Sequence, residues 1–492
     1  MNIPVLVIKL HGRRVGMLFE FAPENAEPII RFAVDEAYAR EAFGVEPVLS
    51  ESFRAADPAQ QQSFWLNRVA PGFNAVRGLR GDVQLPAFFQ NLLPEGTFRR
   101  HVADMAGIDP SNSFAMLAAC GKDLPGAVTA EWENIGKAAL QDLVTQGQDA
   151  LEVTVWSEPF QDAISISGVQ PKLGVNRDAD GRFTGRTTHH DTAIIAKLPS
   201  VEYPRMPQME DLCMRLARLA GVDTCDFELA DMKALSAGHR YDLGEEVQGR
   251  FLAVTRFDRG PAGRVHFEDF AQVLGVAPEK KYSQSYLAIA LTLLDLPACG
   301  VPAVHELLRR IEVNDLLGNA DMHLKNLGLL YRDAHRAELA PAYDLLSTHV
   351  YLGTQGHALA LLEEARPDAK PEAKPVAKAE GKADRAKDDH RKPLLTPQSV
   401  LRFTNALDIP QKQVARMLRE VARQAAATWL EPIQTADITP RQRRILLDRL
   451  GAHLHIRQAI AALRDPALAT AWEAALQAPL EPEVYQPRLI GF

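Results

Sequence analysis

The chain opens with two segments in which apolar and polar residues alternate. PVLVIKL and VGMLFEF are separated by the turn-like sequence HGRR. Alternation with a period of two is typical of half-buried strands, so this pattern predicts a β-hairpin within a β-rich region over residues 1–60. After Pro86, AFFQNLLPEGTFRRHVADMAG has helical spacing in two parts, with Gly107 at a C-cap position. It predicts a helix, a turn and a second helix.

The middle of the chain returns to strand patterns and then changes to helical ones. LEVTVW, DAISIS, PKLGVNR and TAIIAKL are alternating or β-branched segments within residues 151–200. MEDLCMRLARLAG then places Met209, Leu212 and Leu216 on one helical face, with Gly221 where a cap belongs. DTCDFELADM and GRFLAVTRFDR predict further strands, and from about residue 283 to about residue 478 the pattern is mainly helical.

Residues 365–393 have a different composition from the rest of the chain. The segment ARPDAKPEAKPVAKAEGKADRAKDDHRKP has no aromatic residue, and Val376 is its only large apolar residue. Such a segment buries too little surface to offset the entropy of ordering it. It is interpreted as a flexible, charged surface insertion, although its lysines leave open a contact with an acidic partner.

Composition and charge exclude several classes of protein. The 492 residues are 46% hydrophobic and 24% charged, which is typical of a globular protein, and the net charge of −8 argues against a polycation that wraps nucleic acid. None of the four cysteines lies in a CxxC pair, which argues against a zinc ribbon or a disulfide framework. The start lacks the order of a signal peptide, and the longest apolar run, residues 286–296, is too short for a membrane span. These features predict a cytoplasmic protein.

The segment SISGVQPK, between two predicted strands, is a candidate phosphate-binding turn. Gly168 allows backbone N–H groups to approach a phosphate closely, and Lys172 would add a positive charge. An ordinary hairpin turn fits the same residues.

Lys197 ends an apolar strand pattern and shares a face with Ile195. A lysine on a buried face needs a partner, either a carboxylate or a nucleotide phosphate, and Glu210 in the next helix is a candidate carboxylate. An exposed edge lysine and a solvated glutamate in the first turn of a helix are the alternatives.

A polar segment, residues 319–326, follows an apolar helix pattern. Asp321 and Asn326 have the D-x-x-x-x-N spacing of a protein-kinase catalytic loop, in which the carboxylate accepts a hydroxyl proton and the amide oxygen binds Mg²⁺. Asp344, after the strand-like LGLLYR and a short turn, is a candidate second metal ligand. Taken one at a time, these residues also fit alternatives: the segment 319–326 could be a polar loop without a catalytic role, and Asp344 could be an aspartate in a surface turn.

The order of these segments is more specific than any one of them. A phosphate turn, a strand lysine, a helix glutamate, Asp…Asn and a metal aspartate follow one another as in protein kinases. The chain resembles the HipA family of bacterial toxin serine/threonine kinases. The resemblance covers nearly the whole chain outside the insertion. It rests on NLLPEG (91–96), CGKDLPGAV (120–128), SISGVQPK (165–172), IIAKLP (194–199), AVTRFDR (253–259), GNADMHLKN (318–326) and AYDLLS (342–347).

The resemblance implies an α+β, bilobal, protein-kinase-like fold with a β-rich N-terminal subdomain and a mainly helical C-terminal lobe. The expected divisions are an N-terminal subdomain at 1–130, a kinase N-lobe core with the ATP loop and hinge at 150–260, and a helical C-lobe with the catalytic loop at 261–480. The charged insertion at 365–393 lies within the C-lobe.

The resemblance also implies roles for individual residues. The autophosphorylated serine maps onto Ser165, with Ser167 as a second candidate, and Asp321 is the general base. Lys197 anchors the nucleotide, with Glu210 as its partner, and Asn326 and Asp344 hold Mg²⁺. His323 and Lys325 contact phosphates or orient the loop. The ATP loop maps onto Ser167, Gly168, Val169, Gln170, Pro171 and Lys172. The hinge that hydrogen-bonds adenine maps onto Thr255, Arg256 and Phe257, and Tyr343 is a further nucleotide-binding position.

The implied function is that of a Mg·ATP-dependent serine/threonine protein kinase, the toxin of a toxin–antitoxin module, silenced by autophosphorylation. The implied partners are a small helix-turn-helix antitoxin, DNA only through that antitoxin, and a protein substrate such as an aminoacyl-tRNA synthetase. A kinase with a non-toxin substrate and a catalytically weak interaction protein that represses transcription with its antitoxin are the alternatives. The intact Lys197, Asp321, Asn326 and Asp344 argue against the second of these.

Overall fold

The computed structural model describes most of the chain. The described residues are 2–21, 29–40, 48–55, 57–76, 84–136, 170–185, 191–244, 249–333, 335–354, 356–362 and 394–479. The predicted strands LEVTVW and DAISIS and the predicted insertion at 365–393 lie outside these ranges.

The N-terminal region contains a five-stranded antiparallel sheet. The predicted hairpin is confirmed, because strands β1 (Asn2–Leu10) and β2 (Arg13–Phe21) pair through a turn at His11 and Gly12. Both turn residues have positive φ, as a tight two-residue hairpin turn requires. The sheet order is β4-β3-β2-β1-β5, completed by β3 (Ile29–Val34), β4 (Asn74–Val76) and β5 (Val128–Gly136).

Short helices cover one face of this sheet. The predicted helix–turn–helix after Pro86 is confirmed, and Gly107 ends the second helix in the left-handed conformation. An aromatic core that includes Phe32, Phe73 and Phe89 fills the space between the sheet and the helices. The helices are α1 (Glu36–Ala39), α2 (Pro58–Leu66), α3 (Ala87–Asn91), α4 (Gly96–Ala106) and α5 (Ser113–Cys120).

A second five-stranded antiparallel sheet follows in the chain. Its order is β7-β6-β8-β10-β9, where the strands are β6 (Lys172–Arg177), β7 (Phe183–Gly185), β8 (Ile194–Lys197), β9 (Phe227–Asp231) and β10 (Arg250–Thr255). Helix α6 (Met206–Leu219) connects β8 to β9 and is buried along most of its length. Three short strands, β13 (His266–Asp269), β14 (Gly328–Tyr331) and β15 (Glu338–Leu339), form a separate sheet, and β11 (Arg259–Gly260) pairs with β12 (Gly263–Arg264).

The C-terminal part of the chain is mainly helical, as predicted. It contains α7 (Phe270–Val273), α8 (Tyr286–Asp295), α9 (Gly300–Leu317), α10 (Thr348–Leu352), α11 (Pro397–Ala406), α12 (Gln411–Thr428), α13 (Leu430–Thr435), α14 (Pro440–Ala452), α15 (Leu454–Ala461) and α16 (Pro466–Gln477). Helix α6 shares a core with these helices, in which Trp429 and Trp472 are fully buried. In the described ranges, no helix is both long and apolar enough to cross a membrane.

Buried ion pairs join the N-terminal region to the second sheet. Asp123, just after α5, accepts hydrogen bonds from Arg256 at 2.8 Å and from Arg259 at 3.0 Å. Both guanidinium groups also contact Asp258 at 2.9 Å. The α+β class with a helical C-terminal region is confirmed, and this network fixes the N-terminal region against the part of the molecule that forms the site.

Candidate active site

A cleft of about 510 Å³ lies between the second sheet and the helical region, with the N-terminal region along one side. Eleven of the residues predicted to bind nucleotide or metal line this cleft. They are Gln170, Lys172, Lys197, Thr255, Arg256, Phe257, His323, Lys325, Asn326, Tyr343 and Asp344. Segments that are far apart in the chain therefore meet at one concave surface, which is the usual shape of a small-molecule site.

Lys197 is the centre of the charged part of this cleft. It ends β8, and Lys172 at the start of β6 is its direct cross-strand neighbour, so both lysines lie on the same face of the sheet. The Lys197 ammonium donates hydrogen bonds to Glu210 of α6 and, at 2.5 Å, to Asp344. Glu210, which the sequence suggested as its partner, thus lies in direct contact with it.

Burial and charge pairing oppose each other in this cluster. Burial lowers the pKa of Lys197, but Asp344 and Glu210 more than offset this effect, and its pKa lies above the usual value. Burial would raise the pKa of Asp344, but Lys197 and Lys172 hold it well below the usual value. Burial lowers the pKa of Lys172, which is paired less closely. Lys197 and Asp344 are therefore both charged at neutral pH.

Asp344 has a backbone conformation that non-glycine residues rarely adopt. Its φ is +59°, in the left-handed region, where a side chain with a Cβ costs roughly 1–2 kcal/mol. Strain of this kind persists only when surrounding contacts hold the residue, and it is common in ligand sites. Here it directs the carboxylate towards Lys197.

The segment that follows α9 places Asp321 beside the cleft. Asn326 Nδ2 donates to the Asp321 carbonyl oxygen at 2.7 Å, and Asn319 Oδ1 accepts from the Asp321 N–H at 3.0 Å. The Tyr282 hydroxyl donates to Asp321 Oδ1 at 2.7 Å. These three contacts hold the backbone and the carboxylate of the candidate base in one position.

His323 and Lys325 have different surroundings, although both are predicted either to contact phosphates or to orient the loop. Burial lowers the pKa of His323 to about 4, so its ring is neutral at pH 7, and its Nε2 lies 3.8 Å from Asp321 Oδ1. Lys325 Nζ donates to Asp269 at 2.9 Å and to the carbonyl oxygen of Asn91 at 2.8 Å. This is the geometry of a residue that orients the loop against the N-terminal region.

The predicted hinge residues contribute mainly backbone and ring surface. The Thr255 N–H donates to the carbonyl oxygen of Asp226 at 2.8 Å, and the Arg256 N–H donates to that of Ala193 at 2.9 Å. The Arg256 guanidinium points into the ion-pair network with Asp123, so that side chain holds the fold together.

Aromatic rings line the cleft beside the hinge. The Phe257 ring packs against Tyr343, with their centroids 5.6 Å apart, and against Phe267 at 5.2 Å. The Tyr343 hydroxyl donates to the Lys325 carbonyl oxygen at 2.8 Å. The predicted hinge and the loop at Lys325 are thereby connected by an apolar wall suited to a planar ring.

Part of the predicted ATP loop, namely Ser167, Gly168 and Val169, lies outside the described residues. The predicted autophosphorylation site before the loop, Ser165, also lies outside them. The described end of this loop packs against the strand that carries Lys197. The Pro171 carbonyl accepts from the Leu198 N–H at 2.8 Å, while Gln170 lines the cleft.

Three residues near the site have no role in the sequence analysis. Glu95 is 2.8 Å from Lys281 and 3.8 Å from Lys325, and although burial raises its pKa, these lysines lower it to about 2. Asn91 binds Lys325, and Tyr282 binds Asp321. Asn91 and Glu95 belong to NLLPEG, one of the segments in which the chain resembles the HipA family, so the sequence contained a signal for these two residues. No motif in the sequence marks Tyr282.

Comparison with protein families matches two parts of the chain. Residues 6–131 match the HipA N-terminal domain, and residues 164–429 match the HipA-like C-terminal domain. The second match alone covers more than half of the chain.

Individual relatives agree with this result. Y4dM of Sinorhizobium fredii, a protein named as a kinase, is 36% identical over 371 residues, which are 74% of this chain and 82% of that protein. The serine/threonine-protein kinase toxin HipA of Shewanella oneidensis is 26% identical over 63% of this chain and 73% of its own length. The structure of Shewanella oneidensis MR-1 HipA with HipB and operator DNA is similar in fold, with a TM-score of 0.58, 20% identity, and coverage of 92% of this chain and 99% of that one.

Proposed function

Because the chain belongs to the HipA family, whose relatives include proteins named as kinases, we propose that it is a Mg·ATP-dependent serine/threonine protein kinase. The observation that carries the proposal is that Lys197, Asn326 and Asp344 line one cleft. Lys197 contacts Glu210 and Asp344, and Asn326 is hydrogen-bonded to Asp321. Phosphoryl transfer depends mainly on positioning and on charge, and this arrangement supplies both.

The two cross-strand lysines are suited to nucleotide phosphates. Lys172 and Lys197 lie on the same face of the sheet, and the cleft below them extends to the apolar wall of Phe257 and Tyr343. In the proposed complex, the adenine ring lies against this wall and the phosphates lie at the lysines. Lys172 is the more available of the two lysines for contact with a phosphate, since Lys197 already contacts two carboxylates.

The residues present also fit a magnesium ion. Mg²⁺ prefers carboxylate and amide oxygens, which Asp344 and Asn326 provide. Because Asn326 donates its amide N–H to Asp321, its side-chain oxygen is left as the acceptor. The bound ion would neutralise charge on the phosphates during transfer.

Asp321 acts as the general base in this proposal. Its carboxylate accepts the proton of a serine or threonine hydroxyl while the hydroxyl oxygen bonds to the γ-phosphorus, and the bond from that phosphorus to the β-phosphate oxygen breaks to release ADP. Tyr282 holds Oδ1 by a hydrogen bond, which fixes the direction in which the carboxylate faces. His323 is neutral beside this carboxylate and adds no positive charge to it.

The biological role proposed is that of a toxin in a toxin–antitoxin module acting in the cytoplasm. Autophosphorylation at Ser165 or Ser167 would place a charge of about −1.5 to −2 beside the ATP phosphates and silence the enzyme. The partner is a small helix-turn-helix antitoxin, DNA is bound only through it, and an aminoacyl-tRNA synthetase is the first substrate to test. The Shewanella protein with similar fold forms such a complex with HipB and operator DNA, which supports the partner.

The proposal is tested by substituting Asp321→Asn and measuring intact mass after incubation with Mg·ATP, followed by phosphosite mapping. The wild-type protein is expected to gain phosphate on Ser165 or Ser167. Loss of the base should slow this step by roughly 10²–10⁴-fold. Asp295→Asn, the same change at an exposed position at the end of α8, is the matched control and should behave as wild type.

Two results would count against the proposal. Phosphate gain at the wild-type rate in Asp321→Asn would reject Asp321 as the base. A folded wild-type protein that binds ATP but transfers phosphate neither to itself nor to candidate proteins would favour an interaction protein that works through its antitoxin.

A further inference from the structure

One glutamate and two histidines meet in the helical region, outside the cleft. Glu312 lies in α9, His453 lies between α14 and α15, and His455 lies in the first turn of α15. One possible ligand atom from each of the three side chains lies within 4.8 Å of the other two. His455 Nδ1 is 2.6 Å from Glu312 Oε1, and the two histidine rings are 5.3 Å apart in an edge-to-face arrangement.

These side chains are buried, and their polar atoms are incompletely paired. Glu312 is fully buried, and its Oε2 makes no hydrogen bond with any described residue. His453 is 9% exposed, and neither of its ring nitrogens makes a hydrogen bond in the described part of the chain. A buried polar atom without a partner is costly, and an unseen ion is one of the usual reasons for it.

Asp315 supplies an outer layer to the cluster. Its Oδ2 is 3.5 Å from His453 Nε2, and its Oδ1 is 3.2 Å from Arg449. A carboxylate beside the ring of a metal-binding histidine orients that ring and increases its basicity.

The donor set indicates which kind of ion fits. Imidazole nitrogen is a borderline ligand that binds zinc well, whereas magnesium and calcium prefer oxygen. Two histidines and one glutamate are a known zinc ligand set, with bonds of about 2.0–2.2 Å and a fourth position for water. His455, whose side chain is 19% exposed, leaves a path for the ion from solvent.

We propose that Glu312, His453 and His455 bind one Zn²⁺ ion, with Asp315 orienting His453. The ion joins α15 to α9, the helix that ends at Gly318 immediately before Asp321. The bound ion therefore supports, from α15, the helix that leads into the segment of Asp321. This inference does not depend on the kinase proposal, because none of the three ligands lines the cleft.

A proton is the competitor for this position. His455 Nδ1 lies 2.6 Å from Glu312 Oε1, so a proton shared in this hydrogen bond holds the two side chains together without an ion. A zinc ion replaces that proton and also satisfies Glu312 Oε2 and His453, which the ion pair leaves unpaired. Zinc binding should therefore release protons and strengthen as the pH is raised.

The experiment is a competition titration of Zn²⁺ against a chromophoric chelator at pH 7.5, with the full chain freed of any histidine tag and of bound metal. His455→Ala and Glu312→Gln are the test variants. His335→Ala, a histidine on an exposed loop, is the matched control. Wild type and His335→Ala should bind one equivalent of Zn²⁺ more than the test variants do, or should bind that equivalent at least 10-fold more tightly.

Two further readouts keep the result interpretable. Zn²⁺ should raise the melting temperature of wild type and His335→Ala, and that of His455→Ala should not respond, because an ion stabilises only the folded state that binds it. X-ray absorption of the wild-type zinc complex should show nitrogen and oxygen ligands at about 2.0–2.2 Å and requires no variant to fold.

The proposal is overturned by equal stoichiometry and affinity in all four proteins, or by no binding to wild type. Sulfur ligands in the absorption spectrum would also overturn it, since they would place the ion at a cysteine. In each of these cases the cluster is a buried histidine–glutamate ion pair.

Discussion

Lys197 is buried and Lys325 is nearly so, and each has two acidic neighbours, yet their partners give them different tasks. Lys197 contacts Glu210 and Asp344, and Asp344 is itself a candidate metal ligand, so this contact can change when nucleotide and metal bind. Lys325 contacts Asp269 and the backbone of Asn91, which belong to the framework around the site. Burial lowers the pKa of Lys325, but its acidic neighbours more than offset that effect. Both lysines stay charged because each was buried together with its counter-charges.

His323 makes stability depend on pH in the acidic range. Burial lowers its pKa to about 4 in the folded protein, against about 6.5 when unfolded. Between these values the unfolded chain binds a proton that the folded protein does not. The free energy of unfolding should therefore fall as the pH drops from 6.5 to 4, by up to about 1.4 kcal/mol per pH unit from this residue.

Replacing this histidine should remove that contribution. Denaturant unfolding of His323→Gln between pH 4 and 7 is expected to show a shallower loss of stability than wild type. The exposed His335→Gln should keep the wild-type slope. An unchanged slope in His323→Gln would show that the ring is protonated in the folded protein.

At the scale of elements, the end of α9 positions the segment that contains the candidate base, Asp321. The last carbonyl groups of the helix are capped from α10, since Ser347 donates to the Leu317 carbonyl at 2.6 Å and Thr348 donates to the Gly318 carbonyl at 3.1 Å. Asn319 then folds back, and its side chain donates to Asn314 at 2.6 Å. The helix, its cap and the segment that follows are one hydrogen-bonded unit, so a disturbance at the helix end reaches Asp321.

Gly318 is the residue in this unit that tolerates substitution least. Its φ is +71°, and an added Cβ would lie 2.6 Å from Arg449 Nε and 2.7 Å from His349 Cβ. Gly318→Ala combines backbone strain of roughly 1–2 kcal/mol with this overlap. It should lower the free energy of unfolding by about 3 kcal/mol and reduce phosphoryl transfer.

Gly353 offers a matched control at the end of α10. It has a similar φ of +62°, and an added Cβ meets no atom within 4 Å. Gly353→Ala should therefore show the strain alone, about 1–2 kcal/mol. Urea denaturation measures both variants, and equal losses would mean that Arg449 and His349 move aside at no cost.

At the scale of the whole molecule, the N-terminal region forms part of the site. It contributes Asn91 and Glu95 to one wall of the cleft, and both contact Lys325. The buried network of Asp123 with Arg256 and Arg259 fixes it to the sheet that carries Lys197. This region thus supports the segment of the candidate base, Asp321, through its contacts with Lys325.

Breaking this network should be costly. Asp123→Ala leaves two buried guanidinium groups with one carboxylate fewer, and removing one partner of a buried ion pair typically costs about 3–5 kcal/mol. Glu131→Ala, in the exposed pair with Lys9 on the same domain, should cost about 1 kcal/mol or less. Urea denaturation followed by circular dichroism compares them, and a similar small loss for both would show that water replaces Asp123 in the network.

The sequence by itself determined the features that depend on residues close to one another along the chain. The β1–β2 hairpin, helices α3 and α4, and the helical C-terminal part follow from local periodicity, turn residues and caps. The order of the motifs identified the family, because spacing such as that from Asp321 to Asn326 is written along one short segment. It also indicated Lys197 and Glu210 as a pair, since a lysine on a buried strand face requires a counter-charge.

Only the tertiary structure decided which side chains from distant parts of the sequence pair with the polar and charged groups of the site. It gave Lys197 a second partner in Asp344, turned the Arg256 side chain towards Asp123, and placed Tyr282 on Asp321. It also assembled Glu312 with His453 and His455 from segments that are far apart in the chain. The physical reason is that a buried polar group takes its partner from whichever segment packs against it, and periodicity along the chain carries no information about that packing.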